Sequence, residues 1–205
     1  MKGIIITSLL LVTTFLVSAQ NIEFKSSNFK DDKDGFKAAT EAIKTGDEYF
    51  ELGNEAIFQV KSPGLNYDLA LKSYEKAQKF NPNNGELNFK IGVCYANSPY
   101  REKAIPYLYK AYELDPECDH FMNFYYGYAL HLDGKFDKAI KAYEAFEESY
   151  RKADNFNKFV SKRKKECREA RGAIQNPIRA WVDNISSLNS EFNDYAPSIS
   201  TDGSE

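Results

Sequence analysis

Apolar side chains recur at helical spacing through most of this chain, and the polar gaps between them mark where one helix stops and the next begins. Phe36, Ala39 and Ile43 step into Gly46-Asp47 with the period of a helix that buries one face. The pattern then predicts a helix from Glu48 to about Val60, a loop at Ser62-Pro63-Gly64, and a helix from Tyr67 to Phe80 that ends at Asn81-Pro82, because proline cannot continue a helix. A second pair begins at Gly85, breaks at Asn97-Ser98-Pro99 and resumes through Lys110 to Leu114. A third runs from Phe121 to Leu132 and from Lys135 to about Tyr150, with Asp133-Gly134 between. After Asp154, Phe156, Phe159, Val160, Cys167, Ala170 and Ile174 fall on one side of a last amphipathic helix. Residues 21–34 are polar without a sustained period and read as a partly ordered lead-in.

Small residues repeat in register on top of this pattern. Ala70, Ala104 and Ala139 lie 34 and 35 residues apart, and Pro82 and Pro116 lie 34 apart. Leu52-Gly53, Gly92 and Tyr126-Gly127 mark the first helix of each pair, as Tyr74 with Ala77, Ala111, and Tyr143 with Phe146 mark the second. A generic helical bundle accounts for apolar spacing, but not for glycine, alanine and proline returning in phase. The stretch Gly85 to Pro116, GELNFKIGVCYANSPYREKAIPYLYKAYELDP, resembles a tetratricopeptide repeat (TPR), a helix-turn-helix unit of roughly 34 residues. That resemblance implies an all-α array of three repeats over residues 47–153, with a lead-in and first helix over 20–46 and a capping helix over 154–175. A lone hairpin cannot bury its apolar face, so such units stack and need a cap on the last open face. Glycine at a crossing lets two helix backbones approach.

The amino terminus changes the picture of where this array sits. Lys2, an apolar run from Ile4 to Val17, and the small residues Ser18 and Ala19 form a secretory signal pattern, with cleavage expected after Ala19. The run falls short of the roughly 20 residues of a membrane span, and no cysteine follows it to accept a lipid. Export to the periplasm is the expectation, with no transmembrane segment in the mature chain. Removing residues 1–19 takes away only Lys2 and moves the formal charge from -3 to -4, a poor balance for binding nucleic acid. The three cysteines, Cys94, Cys118 and Cys167, are an odd number for an exported chain and leave at least one thiol unpaired. Cys94 and Cys167 read as small buried hydrophobes, and a Cys94–Cys118 bridge is disfavoured by their separation along the unit.

No active site assembles from these residues. His120 and His131 lack the neighbouring ligands of a metal site, no glycine-rich phosphate loop or Gly-x-Ser-x-Gly elbow occurs, and no base is paired with a nucleophile. A non-enzyme without cofactor or metal is the expectation. What remains is a binding surface. In a TPR array the first helices line the concave side, and the repeat phase places Phe50, Asn54, Phe89, Val93, Phe124 and Tyr128 there. Of the Lys and Asn that grip a terminal carboxylate in some TPR proteins, only Asn54 is matched; phenylalanines stand where a clamp lysine would. The alternative is that these aromatics pack on neighbouring units or on the domain that follows. The last helix also carries a basic face of Lys158, Lys162, Lys164, Lys165, Arg168 and Arg171, which reads as a solvated face partly offset by Glu166 and Glu169.

From Asn176-Pro177 the pattern changes class. Trp181 and Val182, Ile185, and Tyr195 to Ile199 read as short strands, and Asp202-Gly203 as a hairpin turn, so residues 176–205 are expected to open a further β-domain of a longer protein. Taken together, the signal pattern, GDEYFELG, the repeat stretch, a cysteine-containing capping helix and Asn189-Ser190-Glu191 with Asp194-Tyr195-Ala196-Pro197 resemble the OmpA-family TPR proteins of the type IX secretion and gliding machinery, the PorE-like proteins. That resemblance implies a WD-type β-propeller beginning here and an OmpA-like peptidoglycan-binding domain beyond. It also implies a periplasmic adaptor associated with the outer membrane, with an outer-membrane partner of the PorP/SprF type. The competing expectation is a free-standing periplasmic TPR chaperone that holds peptides in its groove.

Overall fold

The computed structural model describes residues 20–58, 64–150 and 155–177, the side chains of 56–58 and 155 excepted. Seven α-helices run through that span: α1 (Lys33–Phe58), α2 (Gly64–Phe80), α3 (Gly85–Ala96), α4 (Ala104–Leu114), α5 (Met122–Leu132), α6 (Phe136–Ser149) and α7 (Asn155–Gln175). Short 3-10 turns occupy Ser26–Asn28 and Arg101–Lys103, and no strand occurs among the described residues. The expected signal segment and the strands after residue 177 lie outside the described residues. Among the described residues no helix is long and apolar enough to cross a membrane. The chain divides between Ala170 and Arg171 into two compact units. The packing below belongs to the first; of the second, residues 171–177 are described and finish α7.

α1 packs on α2, α3 on α4 and α5 on α6, while each second helix meets the next first helix. The first helices also touch each other, α1 with α3 and α3 with α5. The small residues that set the register sit where the helices cross. Ala70, Ala104 and Ala139 are fully buried. A Cβ added at Gly92 would meet Leu108 Cγ at 2.5 Å, and one at Gly127 would meet the Tyr143 ring at 3.0 Å. Burial runs on without a break from hairpin to hairpin: Phe50 and Tyr95 pack against both the first and second clusters, and Tyr109, Phe121, Tyr125 and Tyr126 against both the second and third. α7 closes the array by burying Val160 and Cys167 with Phe124, Tyr143 and Phe146.

The first hairpin departs from expectation. Instead of a helix starting at Glu48 behind a break at Gly46-Asp47, one 26-residue helix runs from Lys33 to Phe58, about 39 Å long at 1.5 Å per residue. Gly46 does not break it, because the glycine answers a close approach rather than a turn. The Tyr74 ring lies where a side chain would be, 2.4 Å from an added Cβ, and Tyr67 does the same over Gly53 at 2.7 Å. Asp47 joins three helices, accepting from Tyr74 Oη at 2.7 Å and Lys90 Nζ at 2.8 Å.

The lead-in is a strap across the inter-repeat turns. Ile22 N donates to Asn83 O at 2.7 Å, and Ile22 O accepts from Asn81 Nδ2 at 2.8 Å and Asn84 Nδ2 at 3.1 Å. Asn21 Oδ1 accepts from Gly85 N at 2.9 Å, and its Nδ2 donates to Asp115 Oδ2 at 3.2 Å, tying two successive turns together. Phe24 and Phe29 then stack with Phe36 and Phe80 over the start of α1.

Candidate functional site

Side chains at the turns set the positions of the first helices. Asn84 caps α3, its Oδ1 accepting from Leu87 N at 2.8 Å, which satisfies one of the amides a helix start leaves unpaired. Ahead of α5, Asp119 Oδ1 accepts from Phe121 N at 2.7 Å. With α1 laid beside them, these helices enclose a cleft of about 230 Å3 lined by Phe50 and Asn54 of α1, Phe89 and Val93 of α3, Tyr125 of α5, and Phe121, Asp119 and Phe156.

Four of the six residues expected on the groove therefore share one cleft. The other two, Phe124 and Tyr128, line an adjoining cleft of about 260 Å3 that shares Tyr125 and Phe156 with the first. The six divide by exposure. Phe89, Val93, Phe124 and Tyr128 are 3%, 2%, 4% and 8% exposed and form the floor, whereas Phe50 and Asn54 are half-buried on the rim. Phe89 meets Tyr125 edge-on at 5.6 Å, and Phe124 sits among Phe146, Phe156 and Phe159 at 5.0 to 5.9 Å. Asn54 Oδ1 accepts from Tyr67 Oη at 2.8 Å, leaving its amide nitrogen as the donor it can offer a guest.

Repeat phase alone missed Tyr125, Phe156, Arg101 and Arg163. Tyr125 follows the aligned position 124 and could have been found in the aromatic run Phe124-Tyr125-Tyr126. The others come from a turn and from the capping helix, where no repeat register reaches.

Titratable groups here are structural. Burial raises the Tyr67 and Tyr74 hydroxyls far above their ordinary range. Burial is also the strongest influence on Lys90 and pulls it down, but bonds from Asp47 and Glu86 outweigh it and hold the ammonium above its ordinary value. Burial lowers His131. Cys94, Cys118 and Cys167 are all free thiols, the last pushed up to about 11 by burial and Cys118 to about 12, so neither is a ready nucleophile. Among the described residues no group of three or more His, Cys, Asp or Glu could hold a metal. At least three of the six residues on the basic face of α7 meet acids: Lys164 meets Glu147 at 2.5 Å, Lys165 meets Glu169 at 3.6 Å and Lys162 meets Glu166 at 3.9 Å.

The arrangement lines a groove with apolar rings and a few polar groups, Asn54 and Asp119 among them. Comparison with known proteins agrees in kind. No curated protein matches the chain. The family model of the tetratricopeptide repeat, a non-catalytic protein-interaction fold, matches residues 85–118, the α3–α4 hairpin and the turn after it.

Proposed function

We propose that this chain is an exported scaffold that holds a protein partner along the face of its first helices. The observation that carries the reading is the aromatic-lined cleft to which α1, α3 and α5 all contribute. Half-exposed rings beside a pocket are the kind of surface on which a few anchors supply most of the binding energy. The signal pattern before Gln20 supports a periplasmic location. The resemblance to PorE-like proteins supports a finer role, that of an adaptor of type IX secretion or gliding. In that role the array engages an outer-membrane protein of the PorP/SprF type, and a further domain holds peptidoglycan.

Capture of outer-membrane proteins by the purified chain tests the reading. Asn54→Arg puts a charge into the cleft from its rim, and Phe50→Ala removes an anchor there. Each should weaken capture about tenfold or more at a temperature where its melting curve shows the variant still folded. Phe50 also packs on Tyr67 and Tyr74, and Asn54 accepts from the Tyr67 hydroxyl, so some loss of stability is expected of both. Lys76→Glu at an exposed site on α2 should change neither capture nor stability. Undiminished capture by folded rim variants would overturn the groove.

A further inference from the structure

The groove continues past its apolar cleft into one that carries charge. The adjoining cleft has two guanidinium groups in its wall, Arg101 from the 3-10 turn before α4 and Arg163 from α7. Arg163 is held flat by rings: its guanidinium carbon lies 4.7 Å from the centre of Phe159 and 5.7 Å from that of Tyr128. Its Nη1 meets Glu166 at 2.9 Å, while its Nε is buried with no hydrogen-bond partner among the described residues. Arg101 is exposed and forms no ion pair among the described residues. Both cations act on one phenol. Burial raises the Tyr128 hydroxyl, and the charges of Arg101 and Arg163 pull against that rise.

Among the described residues, the wall of this cleft holds two cations and no carboxylate, and Glu166 beside it pairs with only one of them. The cleft is therefore short of a negative charge. A guanidinium is planar and presents paired donors that fit a carboxylate on two bonds, and such bonds strengthen beside apolar walls that exclude water. The adjoining apolar cleft begins at the same Tyr125 and Phe156 rings, so one guest can fill both.

We propose that the Arg101–Arg163 cleft reads a carboxylate on the docked partner, set close along the peptide from an apolar anchor that fills the space between Phe50 and Phe89. The occupant is thus an acidic, apolar peptide segment. The proposal rests on the groove being the partner surface. It also places the carboxylate site away from the lysine and asparagine positions at which the repeat phase would seek a clamp.

A bead-bound random decapeptide library offered to the purified chain tests it. The expected result is enrichment of Asp or Glu at a fixed offset from Phe, Leu or Ile. In labelled copies of the selected peptides, changing that acid to its amide should weaken binding about tenfold or more. Amidating the peptide's carboxy terminus tells a side-chain carboxylate from a terminal one: binding is kept in the first case and lost in the second. Arg101→Gln with Arg163→Gln should abolish the preference for acid while apolar selection persists. If the double variant melts early, Arg101→Gln alone, at an exposed turn position, carries the comparison. Selected peptides with no acid preference, or an acid preference that survives loss of the arginines, would overturn the carboxylate site and leave the groove standing. Selection of no peptide that depends on Asn54 would overturn both.

Discussion

The first and second hairpins follow one register and are closed at their amino ends by different means. Gly46 in α1 holds the place that Gly85 holds in α3, but α3 starts at Gly85 and α1 starts at Lys33, thirteen residues before Gly46. In the second hairpin the preceding helix α2 covers the apolar face of α3. In the first, α1 is prolonged and the strap with Phe24 and Phe29 lies over its beginning. At the other end α7 plays the corresponding part with Phe156, Phe159 and Val160. The ends of a stacked array thus need sequence outside the repeat, because each unit is stable only with both faces covered.

The sharpest way to break this comparison is to overfill both hairpins at the same phase. Ala70→Arg and Ala104→Arg each force a long cation into a fully buried position and should cost more than about 3 kcal/mol. Lys103→Arg should leave the thermal midpoint nearly unchanged. A normal melt for Ala70→Arg would show that the first hairpin does not share the register.

Deleting residues 20–24 asks whether the strap is structural. It removes the bonds of Asn21 and Ile22 and the Phe24 stack, at about 0.5–1.5 kcal/mol net per hydrogen bond. Five such bonds are lost, and the conformational entropy of holding the strap, which opposes them, is lost too. The expected outcome is a net loss of about 3 kcal/mol, with faster amide exchange in the first turns of α1 and little change in α5. Uniform exchange would deny the strap its local role.

Gly46→Ala places a methyl against the buried Tyr74 ring and should cost about 1–3 kcal/mol. Gly64→Ala, whose Cβ would meet nothing within 4 Å among the described residues, should be neutral or stabilise α2 by up to about 1 kcal/mol, since alanine is the better helix former. Equal effects in a denaturant titration would mean Gly46 is no crossing point.

The smallest expected effect separates two tyrosines at equivalent places in the first and third hairpins. Tyr74 Oη donates to Asp47, while Tyr143 Oη is buried with no hydrogen-bond partner among the described residues. Tyr74→Phe should cost about 1–2 kcal/mol, and Tyr143→Phe should be neutral or slightly stabilising, because removing an unsatisfied hydroxyl relieves its desolvation. The same loss in both would place an unseen partner on Tyr143.

Most of the helix plan was legible in the sequence because it is local. Gly53, Gly92 and Gly127 with Ala70, Ala104 and Ala139 marked the crossings. α2, α3 and α5 to α7 begin and end within a few residues of where the apolar period and the turn residues put them, and α4 ends at Leu114 as read but begins six residues before Lys110, at Ala104. A side chain every third or fourth position needs only neighbouring residues to declare a face. Gly46-Asp47 was misread as a break for the same reason: only Tyr74, on another helix, shows that the glycine makes room for a ring.

Tertiary structure alone decided the rest. Asn21 and Ile22 belong to a polar stretch with no period, and their side-chain-bonded partners stand 59 to 94 residues away. Repeat phase could place Phe89 and Phe124 on the face of the first helices, but not tell floor from rim, because burial depends on the rings of Tyr125 and Phe156 set against them. Nor does anything in sequence bring Arg101 to Arg163. They meet at one cleft because the stacking of hairpins carries a turn and a capping helix to the same edge, and charge acts through space rather than along the chain.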